Sequence, residues 1–466
     1  MSDTGALLSD YDAEDIIGKD KRHMWHHLLQ HQLLESQDPK IFVRGEGARI
    51  RDIEGNEYLD ASSGGVWCVN VGYGRESMAK VIYDQLLELP YYAGVAGTVP
   101  AAQFADKLTD LLPGLDRVFF ANSGSEANEK AFKMIRQIAD LNGSQKIKVL
   151  YRDRDYHGTT IACLAASGHE ERRRAYGPFP EGFAGIPHAL CYRCPFGLSY
   201  PGCNLECAHA LEDVIQEEGP DTVGGLILEP ITAGGGVIPP VQEYFPIIQE
   251  ICEKYGVILI IDEVVCGFGR TGTMFGFEHY EVAPDIVTMA KGMASAYAPI
   301  SATAVRSEIF DEFLNDPSDQ SDYFRDISTY GGCTGGFAAA LENMRIVEDE
   351  DLVENARVVG EYLLDRLREL SDHPNVGEVR GKGLFAGLEL VADKASKAPV
   401  GEDVMAAVMR GITAEGVLAG QTNRSIPGLN NTVNIAPPLI VTNADVDEIV
   451  AAVQVGIEKG CRDGLG

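Results

Sequence analysis

The sequence predicts an α/β fold, with a large domain built on a mostly parallel sheet covered by helices and a smaller α+β domain. Short runs rich in Val, Ile and Leu recur without strict alternation of polar residues. Such runs are typical of strands buried on both faces of a parallel sheet. Amphipathic helical segments stand between them, as the crossovers of an α/β sheet require. After about residue 335 the pattern changes to long charged helices followed by a pair of short strands.

Five runs supply the predicted strands of the large sheet. In chain order they are RVFFAN, KIKVLY, TVGGLILEP, GVILIID and PDIVTMA, and the helical stretches among them include EANEKAFKMIRQIADL and EYFPIIQEICEKY. We also predict hairpins at IRDIEGNEYLD and VRGKGLFAGLELV and a final helix near residues 445–459. The predicted domains are an N-terminal arm with part of the small domain (1–70), the large domain (71–334) and the C-terminal small domain (335–466).

The balance of charges excludes two classes of partner. The 466 residues include 70 Asp and Glu but 39 Lys and Arg, which gives a formal net charge of −31 at pH 7. Such a surface repels phosphate backbones and anionic lipid, so we exclude nucleic-acid and membrane-surface binding. Hydrophobic residues make up 45% of the chain, which excludes disorder. The acidic N-terminus and the scattered cysteines predict a cytoplasmic protein.

An anion site is predicted after the first run. The chain there reads Asn122-Ser123-Gly124-Ser125 and then opens an amphipathic helix. In an open parallel sheet, ligands bind at the carboxyl ends of the strands. Two hydroxyls around a glycine at a helix N-terminus, with free backbone N–H groups, form an anion site. The alternative is that the serine is an ordinary N-cap.

Two charged residues follow other runs at the same sheet edge. Asp262 follows GVILII, and Lys291 follows PDIVTMA. Either residue alone is readily explained as a solvated charge at a strand end. However, a desolvated lysine amine loses its charge and becomes nucleophilic. An anion cradle, an acid and a nucleophilic amine at one edge are the three groups that a pyridoxal phosphate site needs.

One long segment carries a family resemblance. LIIDEVVCGFGRTGTMFGFEHYEVAPDIVTMAKGMASAYAP resembles the signature of class III (ω-amino acid type) aminotransferases, which use pyridoxal 5'-phosphate and have fold type I. Further segments agree in the same order: SGSEANEKAFKMIR, DYHGTTIA, ILEPITAGGGVIPP, STYGG and VRGKGLFAGLEL. The resemblance extends from Trp25 onward and implies a seven-stranded type of sheet and transaminase chemistry.

The resemblance implies a cofactor site. Its residues would be Ser123, Gly124, Ser125, Tyr156, His157, Glu229, Asp262, Val264, Lys291 and Thr329. Lys291 would be the catalytic residue that bonds to the cofactor and carries the proton, and Asp262 would face the pyridine nitrogen. Val264 and Tyr156 would pack on the two faces of the ring. Glu229 matches a glutamate that pairs with a pocket arginine in some relatives, and the alternative is a structural acid near the ring.

Thr329 resembles a phosphate-binding threonine that the partner subunit contributes. This implies a homodimer with shared active sites and leaves open whether dimers form a tetramer. The family usually continues with Gly-Asn-Pro or Gly-His-Pro, whereas this chain has Gly332-Cys333-Thr334. We therefore expect this partner loop to sit slightly differently.

The resemblance also implies the substrate-binding residues Trp67, Tyr156 and Arg424. Arg424 would grip the carboxylate of a keto acid, and Trp67 would narrow the donor pocket unless it only packs in the core. Runs such as SGGVWCVNVGYGR and TNRSIPGLNNT are similar to those of members that use taurine and pyruvate. The alternative donor is β-alanine or another ω-amino acid, and an aminomutase would need no acceptor.

Two further motifs lie outside this chemistry. The loop CYRCPFGLSYPGCNLEC, residues 191–207, has a cysteine spacing that could hold zinc, remain as reduced thiols or form disulfides. The motif GFGRTG at residues 267–272 matches a dinucleotide pattern, but TMFGFEHY follows it rather than a helix. We therefore interpret it as a glycine-rich loop beside the cofactor and assign no metal to the site.

Overall fold

A computed structural model describes residues 11–319 and 321–464 of the chain. The remaining positions of the domain prediction (1–10, 320 and 465–466) lie outside the described residues. The helices are α1 (Ala13–His23), α2 (Glu76–Glu88), α3 (Val99–Leu111), α4 (Gly124–Leu141), α5 (Ile161–Ala165), α6 (Glu170–Arg173), α7 (Glu206–Glu218), α8 (Tyr244–Tyr255), α9 (Ser307–Asp311), α10 (Thr334–Asp349), α11 (Leu352–Arg368), α12 (Glu402–Ala414) and α13 (Asn443–Gly464).

The strands form three sheets. They are β1 (Phe42–Glu46), β2 (Arg49–Asp52), β3 (Glu57–Asp60), β4 (Arg117–Ala121), β5 (Lys148–Arg152), β6 (Phe183–Ile186), β7 (Val223–Leu228), β8 (Ile258–Asp262), β9 (Ile286–Met289), β10 (Ser301–Val305), β11 (Val376–Lys382), β12 (Phe385–Asp393), β13 (Ala398–Pro399), β14 (Val417–Leu418), β15 (Gly420–Gln421) and β16 (Thr432–Ile435).

The central sheet has seven strands in the order β4-β10-β9-β8-β7-β5-β6. Strand β10 runs antiparallel to both of its neighbours, and the other pairs are parallel. The predicted α/β class with a mostly parallel sheet is confirmed, and the five predicted runs form β4, β5, β7, β8 and β9. All six residues of β7 are buried, as expected for a strand covered on both faces.

Helix α4 packs very closely on the centre of this sheet. A Cβ at Gly225 of β7 would lie 2.4 Å from Ile135 Cδ1 of α4, so a side chain there would force Ile135 to move. The close packing holds the N-terminus of α4 against the end of β8, where the candidate site lies.

The smaller sheets combine both ends of the chain. Strands β1, β2 and β3 form one sheet with β14, which pairs parallel to β3. Strands β11, β12, β16 and β15 form another, with β13 on β12. The predicted hairpins are confirmed as β2–β3 and β11–β12. The N-terminal strands thus lie with the C-terminal part of the chain.

Across the described part of the chain, the helices are too short or too polar to cross a lipid bilayer.

Candidate active site

A cavity of about 460 Å³ opens at the carboxyl ends of the central strands. Its lining includes nine of the predicted site residues: Ser123, Gly124, Ser125, Tyr156, His157, Glu229, Asp262, Val264 and Lys291. Asp262 is the last residue of β8, and the others come from the segments that follow β4, β5, β7, β8 and β9. The parallel sheet therefore gathers residues that are up to 168 positions apart in sequence (291 − 123 = 168).

Asp262, the last residue of β8, is held by three N–H donors. Asn128 Nδ2 donates to its Oδ2 at 2.9 Å, and His157 Nδ1 donates to the same oxygen at 2.8 Å. The backbone N–H of Val264 donates to Oδ1 at 3.0 Å. The side chain of Asp262 is 3% exposed, so these bonds orient a buried carboxylate toward the cavity.

The donors to Asp262 are themselves positioned. Thr288 Oγ1 in β9 donates to Asn128 Oδ1 at 2.6 Å, and Asn128 Nδ2 also donates to the carbonyl oxygen of His157 at 2.7 Å. Because the Asp262 carboxylate accepts from Nδ1, this nitrogen carries the imidazole proton. The sequence analysis did not single out Asn128 or Thr288. Their positions one turn into α4 and at the centre of β9 were the available signals.

The N-terminus of α4 offers an anion site. Ser123 caps the helix, because its Oγ accepts from the N–H of Glu126 at 3.2 Å, and Glu126 Oε2 accepts from the N–H of Asn122 at 2.9 Å. The N-cap alternative therefore describes the Ser123 side chain correctly. Gly124 and Ser125 are the first residues of the helix and line the cavity. Their N–H groups have no partner within the helix and lie at the positive end of its dipole.

Two glycines keep this anion site open. A Cβ at Gly124 would lie 2.9 Å from Val264 Cγ2, and a Cβ at Gly158, where φ is +136°, would lie 2.3 Å from Ser125 Oγ. Ser125 Oγ instead accepts from the N–H of Thr159 at 3.0 Å. A side chain at either glycine would therefore crowd the backbone of α4 and of residues 156–159 beside the cavity.

Lys291 lies directly beside an aromatic side chain. Its Nζ is 5.6 Å from the ring centroid of Trp67, which packs edge-on against Phe385 with centroids 5.6 Å apart. Lys291 begins a short 3-10 turn, Lys291–Met293, and has φ +44°. A lysine in this left-handed conformation is strained, and such strain is concentrated at functional sites.

Glu229 shapes the cavity wall through backbone contacts. Its Oε1 accepts from the N–H of Tyr156 at 2.8 Å, and its Oε2 accepts from the N–H of Ala233 at 3.0 Å. Burial raises the pKa of Glu229 well above its ordinary value, and the nearby carboxylates of Asp155 and Asp262 raise it further. These contacts support the structural alternative for Glu229 and show no paired arginine.

The ring of Tyr156 packs against two other side chains. The centroid of the Tyr156 ring lies 5.4 Å from that of His169. The guanidinium carbon of Arg172 also lies 5.4 Å from the Tyr156 centroid. Burial raises the pKa of the Tyr156 phenol, so this side chain is a neutral aromatic wall at physiological pH.

Three predicted site residues are absent from the lining of the cavity: Arg424, Thr329 and Trp67, the last of which lies beside Lys291. Arg424 Nη1 instead contacts both carboxylate oxygens of Glu402, at 3.2 and 3.3 Å. Thr329 begins an exposed 3-10 turn, and its carbonyl oxygen accepts from Tyr91 Oη at 2.8 Å. The roles predicted for Arg424 and Thr329 therefore require a side-chain movement and a partner subunit, respectively.

The glycine-rich loop at residues 267–272 carries a buried cation that the sequence analysis missed. The guanidinium of Arg270 donates to Ser63 Oγ at 3.0 Å, to Asn70 Oδ1 at 2.9 Å and to the carbonyl oxygen of Leu384 at 3.2 Å. Burial lowers the pKa of Arg270 to about 10, so it remains charged. The loop thus joins the segment around Trp67 (residues 63–70) to Leu384 instead of opening a helix.

The cysteine loop does not form a metal site in the described residues. Cys191, Cys194, Cys203 and Cys207 line a cavity of about 20 Å³, but no group of three or more His, Cys, Asp or Glu side chains there has a geometry that could hold a metal ion. All ten cysteines of the chain, which the structure describes, are free thiols.

Comparison with known proteins identifies relatives along almost the whole chain. Residues 34–456 match the model of the family described as aminotransferase class-III. The chain is 55% identical to the hypotaurine/taurine–pyruvate aminotransferase of Paracoccus denitrificans, over 97% of this chain and 98% of the relative. It is 53% identical to the taurine–pyruvate aminotransferase of Rhodobacter capsulatus, over 96% of this chain and 98% of the relative.

Solved structures agree with this match. A Bacillus anthracis aminotransferase superposes with a TM-score of 0.91 at 39% identity, over 96% of this chain and 98% of that one. An (S)-enantioselective omega-transaminase from Thermomicrobium roseum gives a TM-score of 0.91 at 35% identity, over 97% and 99% of the two chains.

The buried His169 behind Tyr156 predicts a pH dependence of stability. Its Nε2 donates to the carbonyl oxygen of Arg154 at 2.7 Å, and burial lowers the pKa of His169 to about 3 from 6.5. The unfolded chain therefore binds one more proton than the folded chain between these values. Stability falls as pH falls below about 6.5, by up to about 1.4 kcal/mol per pH unit for this group.

Urea unfolding at pH 7, 6 and 5 measures this effect. His169→Gln keeps a donor for Arg154 but does not titrate, so its stability should fall less steeply with falling pH than that of the wild type. His209→Gln changes an exposed histidine on α7 and serves as the control. Equal slopes for His169→Gln and the wild type would contradict the assignment of a buried neutral imidazole.

Proposed function

Because the chain belongs to the class III aminotransferases, we propose that it moves the amino group of taurine to pyruvate, using pyridoxal 5'-phosphate. The products would be sulfoacetaldehyde and L-alanine, formed in two half-reactions that use the same site. The observation that carries the choice of substrates is the high identity, over nearly the full length, to relatives named for taurine and pyruvate. The residues that line the cavity support the choice of cofactor.

The cavity fits the cofactor at both ends. Asp262 would accept a hydrogen bond from the pyridine N–H, since its carboxylate faces the cavity and its three donors hold it in place. The N–H groups of Gly124 and Ser125, at the positive end of α4, would bind the phosphate. Tyr156 and Val264 would pack against the ring. When bound, the cofactor supplies a protonated ring that stabilises negative charge at the substrate carbon.

Lys291 would hold the cofactor covalently and move the proton. Its Nζ projects from the rim of the cavity beside Trp67. An amine there can take the proton from the amine-bearing carbon of the substrate and deliver it to the cofactor carbon on the other side of the shared nitrogen. Glu229 and His157 would act indirectly, since Glu229 fixes the backbone of Tyr156 and His157 fixes Asp262.

On the substrate side, Trp67 would narrow the donor pocket and Arg424 would bind the carboxylate of pyruvate. A guanidinium binds planar carboxylates through two parallel hydrogen bonds and can bind a sulfonate through two of its three oxygens. For this role, Arg424 must leave Glu402 and turn toward Lys291.

A homodimer with shared sites would complete the phosphate site through Thr329. The turn at residues 329–332 is bonded to the segment after α2, where the Tyr92 N–H donates to the carbonyl oxygen of Gly332 at 3.2 Å. Large apolar side chains are exposed around it, among them Leu87, Val95 and Tyr330. A cluster of exposed apolar side chains favours an interface in which a second copy of the chain buries them.

We also propose a cytoplasmic location, because the ten cysteines are scattered through a long chain and do not form a dense disulfide framework. Free thiols persist in a reducing compartment, whereas neighbouring cysteines in an oxidising one pair as disulfides. A reducing cytoplasm therefore suits this chain.

Donor specificity tests the proposed substrates. With pyruvate as acceptor, kcat/KM for taurine should exceed that for β-alanine by at least about tenfold, because the similar relatives are named for taurine as donor. Alanine formation measures both rates, and a reaction without pyruvate tests for aminomutase activity. Equal or reversed rates for the two donors would contradict the taurine proposal while leaving family membership intact.

Borohydride reduction tests the role of Lys291. The wild-type holoenzyme should be yellow, and reduction should fix the cofactor on the peptide that contains Lys291. Lys291→Ala should lose this link, and its kcat should fall about 10²–10⁴-fold, because a positioned proton carrier contributes a factor of this size. Lys254→Ala, which changes an exposed lysine paired with Glu212, is the control. A reducible link that persists in Lys291→Ala would refute the assignment.

A further inference from the structure

The loop that carries Arg424 lies beside the cavity. It leaves the small sheet after β15 and returns at β16, and the Thr422 N–H donates to the carbonyl oxygen of Thr432 at 2.9 Å to close its base. A Cβ at Gly420, just before the loop, would lie 3.9 Å from Trp67 Nε1. Since Trp67 contacts Lys291, the base of the loop forms part of the wall around the reacting groups.

The residues on both sides of Arg424 are fixed. Ser425 Oγ donates to the carbonyl oxygen of Gly234 at 3.0 Å, and the Ser425 carbonyl oxygen accepts from the N–H of Glu171 at 3.2 Å. Arg172 Nη2 donates to the carbonyl oxygen of Asn423 at 3.2 Å. The backbone on both sides of Arg424 is therefore held in place, and the side chain extends from it to Glu402.

The outward position of Arg424 has a defined partner. Glu402 is the first residue of α12, where the helix dipole favours a negative side chain, and both of its carboxylate oxygens face Arg424 Nη1. Asn430 Nδ2 contacts Glu402 Oε1 at 3.4 Å from the other side of the loop. Arg424 has φ +54° in this position, a left-handed conformation that a non-glycine residue adopts only where its surroundings hold it.

We propose that Glu402 holds Arg424 outside the cavity in the substrate-free enzyme, so that the carboxylate of the keto acid must compete with Glu402 for the guanidinium. Glu402 is then a positioning residue that acts through Arg424 and sets the affinity for anionic substrates. The inference rests on the proposed function, because it takes pyruvate as the acceptor. An uncharged acceptor gains nothing from Arg424 and is indifferent to Glu402.

The exposure of the pair sets the size of the effect. The two side chains are 45% and 59% exposed, so solvent screens their attraction and the pair is weak. Its removal should lower KM for pyruvate about two- to fivefold and leave kcat unchanged. A weak pair suits this role, because a tightly bound arginine would not be available to substrate.

Steady-state kinetics of Glu402→Gln holoenzyme test the proposal. The expected result is a lower KM for pyruvate, with unchanged kcat and an unchanged kcat/KM for propanal, which has the same carbon skeleton without the carboxylate. Glu402→Asp should lie nearer the wild type. The matched control is Glu415→Gln at the other end of α12, which removes an exposed carboxylate paired with Lys459 and should leave KM unchanged.

A double-mutant cycle with Arg424→Gln isolates the pair. In that background, Glu402→Gln should have no further effect on KM for pyruvate. The proposal is overturned if Glu402→Gln matches the wild type, or if its effect persists without Arg424. If the wild type does not use taurine, the proposed donor is wrong, and the same comparison is made with another amino donor because pyruvate remains the varied substrate.

Discussion

The orientation of one buried carboxylate underlies the candidate site. Asp262 accepts N–H bonds from Asn128, His157 and the Val264 backbone, which lie on α4, the loop after β5 and the segment after β8. Because Thr288 in β9 holds Asn128, helix α4, the loop after β5 and strands β8 and β9 all converge on this side chain. A shift of any one of them would misplace the acid and the walls of the cavity with it. The parallel sheet therefore does more than support the site, since its strand order brings these donors together.

The cavity has a locally positive environment, although the net charge of the chain is −31. On the outer helices, cations are largely neutralised by neighbouring carboxylates, as in the pairing of Arg357 with Glu354 and Glu361. Around the cavity, the attraction for anions comes from the N-terminus of α4 and from Lys291, and Arg270 lies buried nearby. Helix dipoles and desolvated cations act over short distances, so a strongly acidic exterior is compatible with anionic ligands inside.

Sequence patterns predicted the features that depend on local composition. The five apolar runs and the polar residues at their ends were predictable, because buried parallel strands need continuous apolar side chains. Strands β6 (FAGI) and β10 (SATAV) were missed, since small residues and glycine give little strand signal. Arg270 and Thr288 could not be recognised, because their roles depend on partners from distant segments. The resemblance supplied Arg424 as a candidate but not its resting contact with Glu402, which only the fold brings together.

The kinetics of Asp262→Asn test the central claim most directly. Asparagine preserves the shape of the side chain but not its charge, so cofactor should still bind through the N-terminus of α4 and Lys291. Without the carboxylate opposite the pyridine nitrogen, the account predicts a loss of at least about 10²–10³ in kcat with taurine and pyruvate, the scale of a lost electrostatic contact in an active site. A variant that retains cofactor and turns over at nearly the wild-type rate would contradict the claim that this carboxylate organises the site.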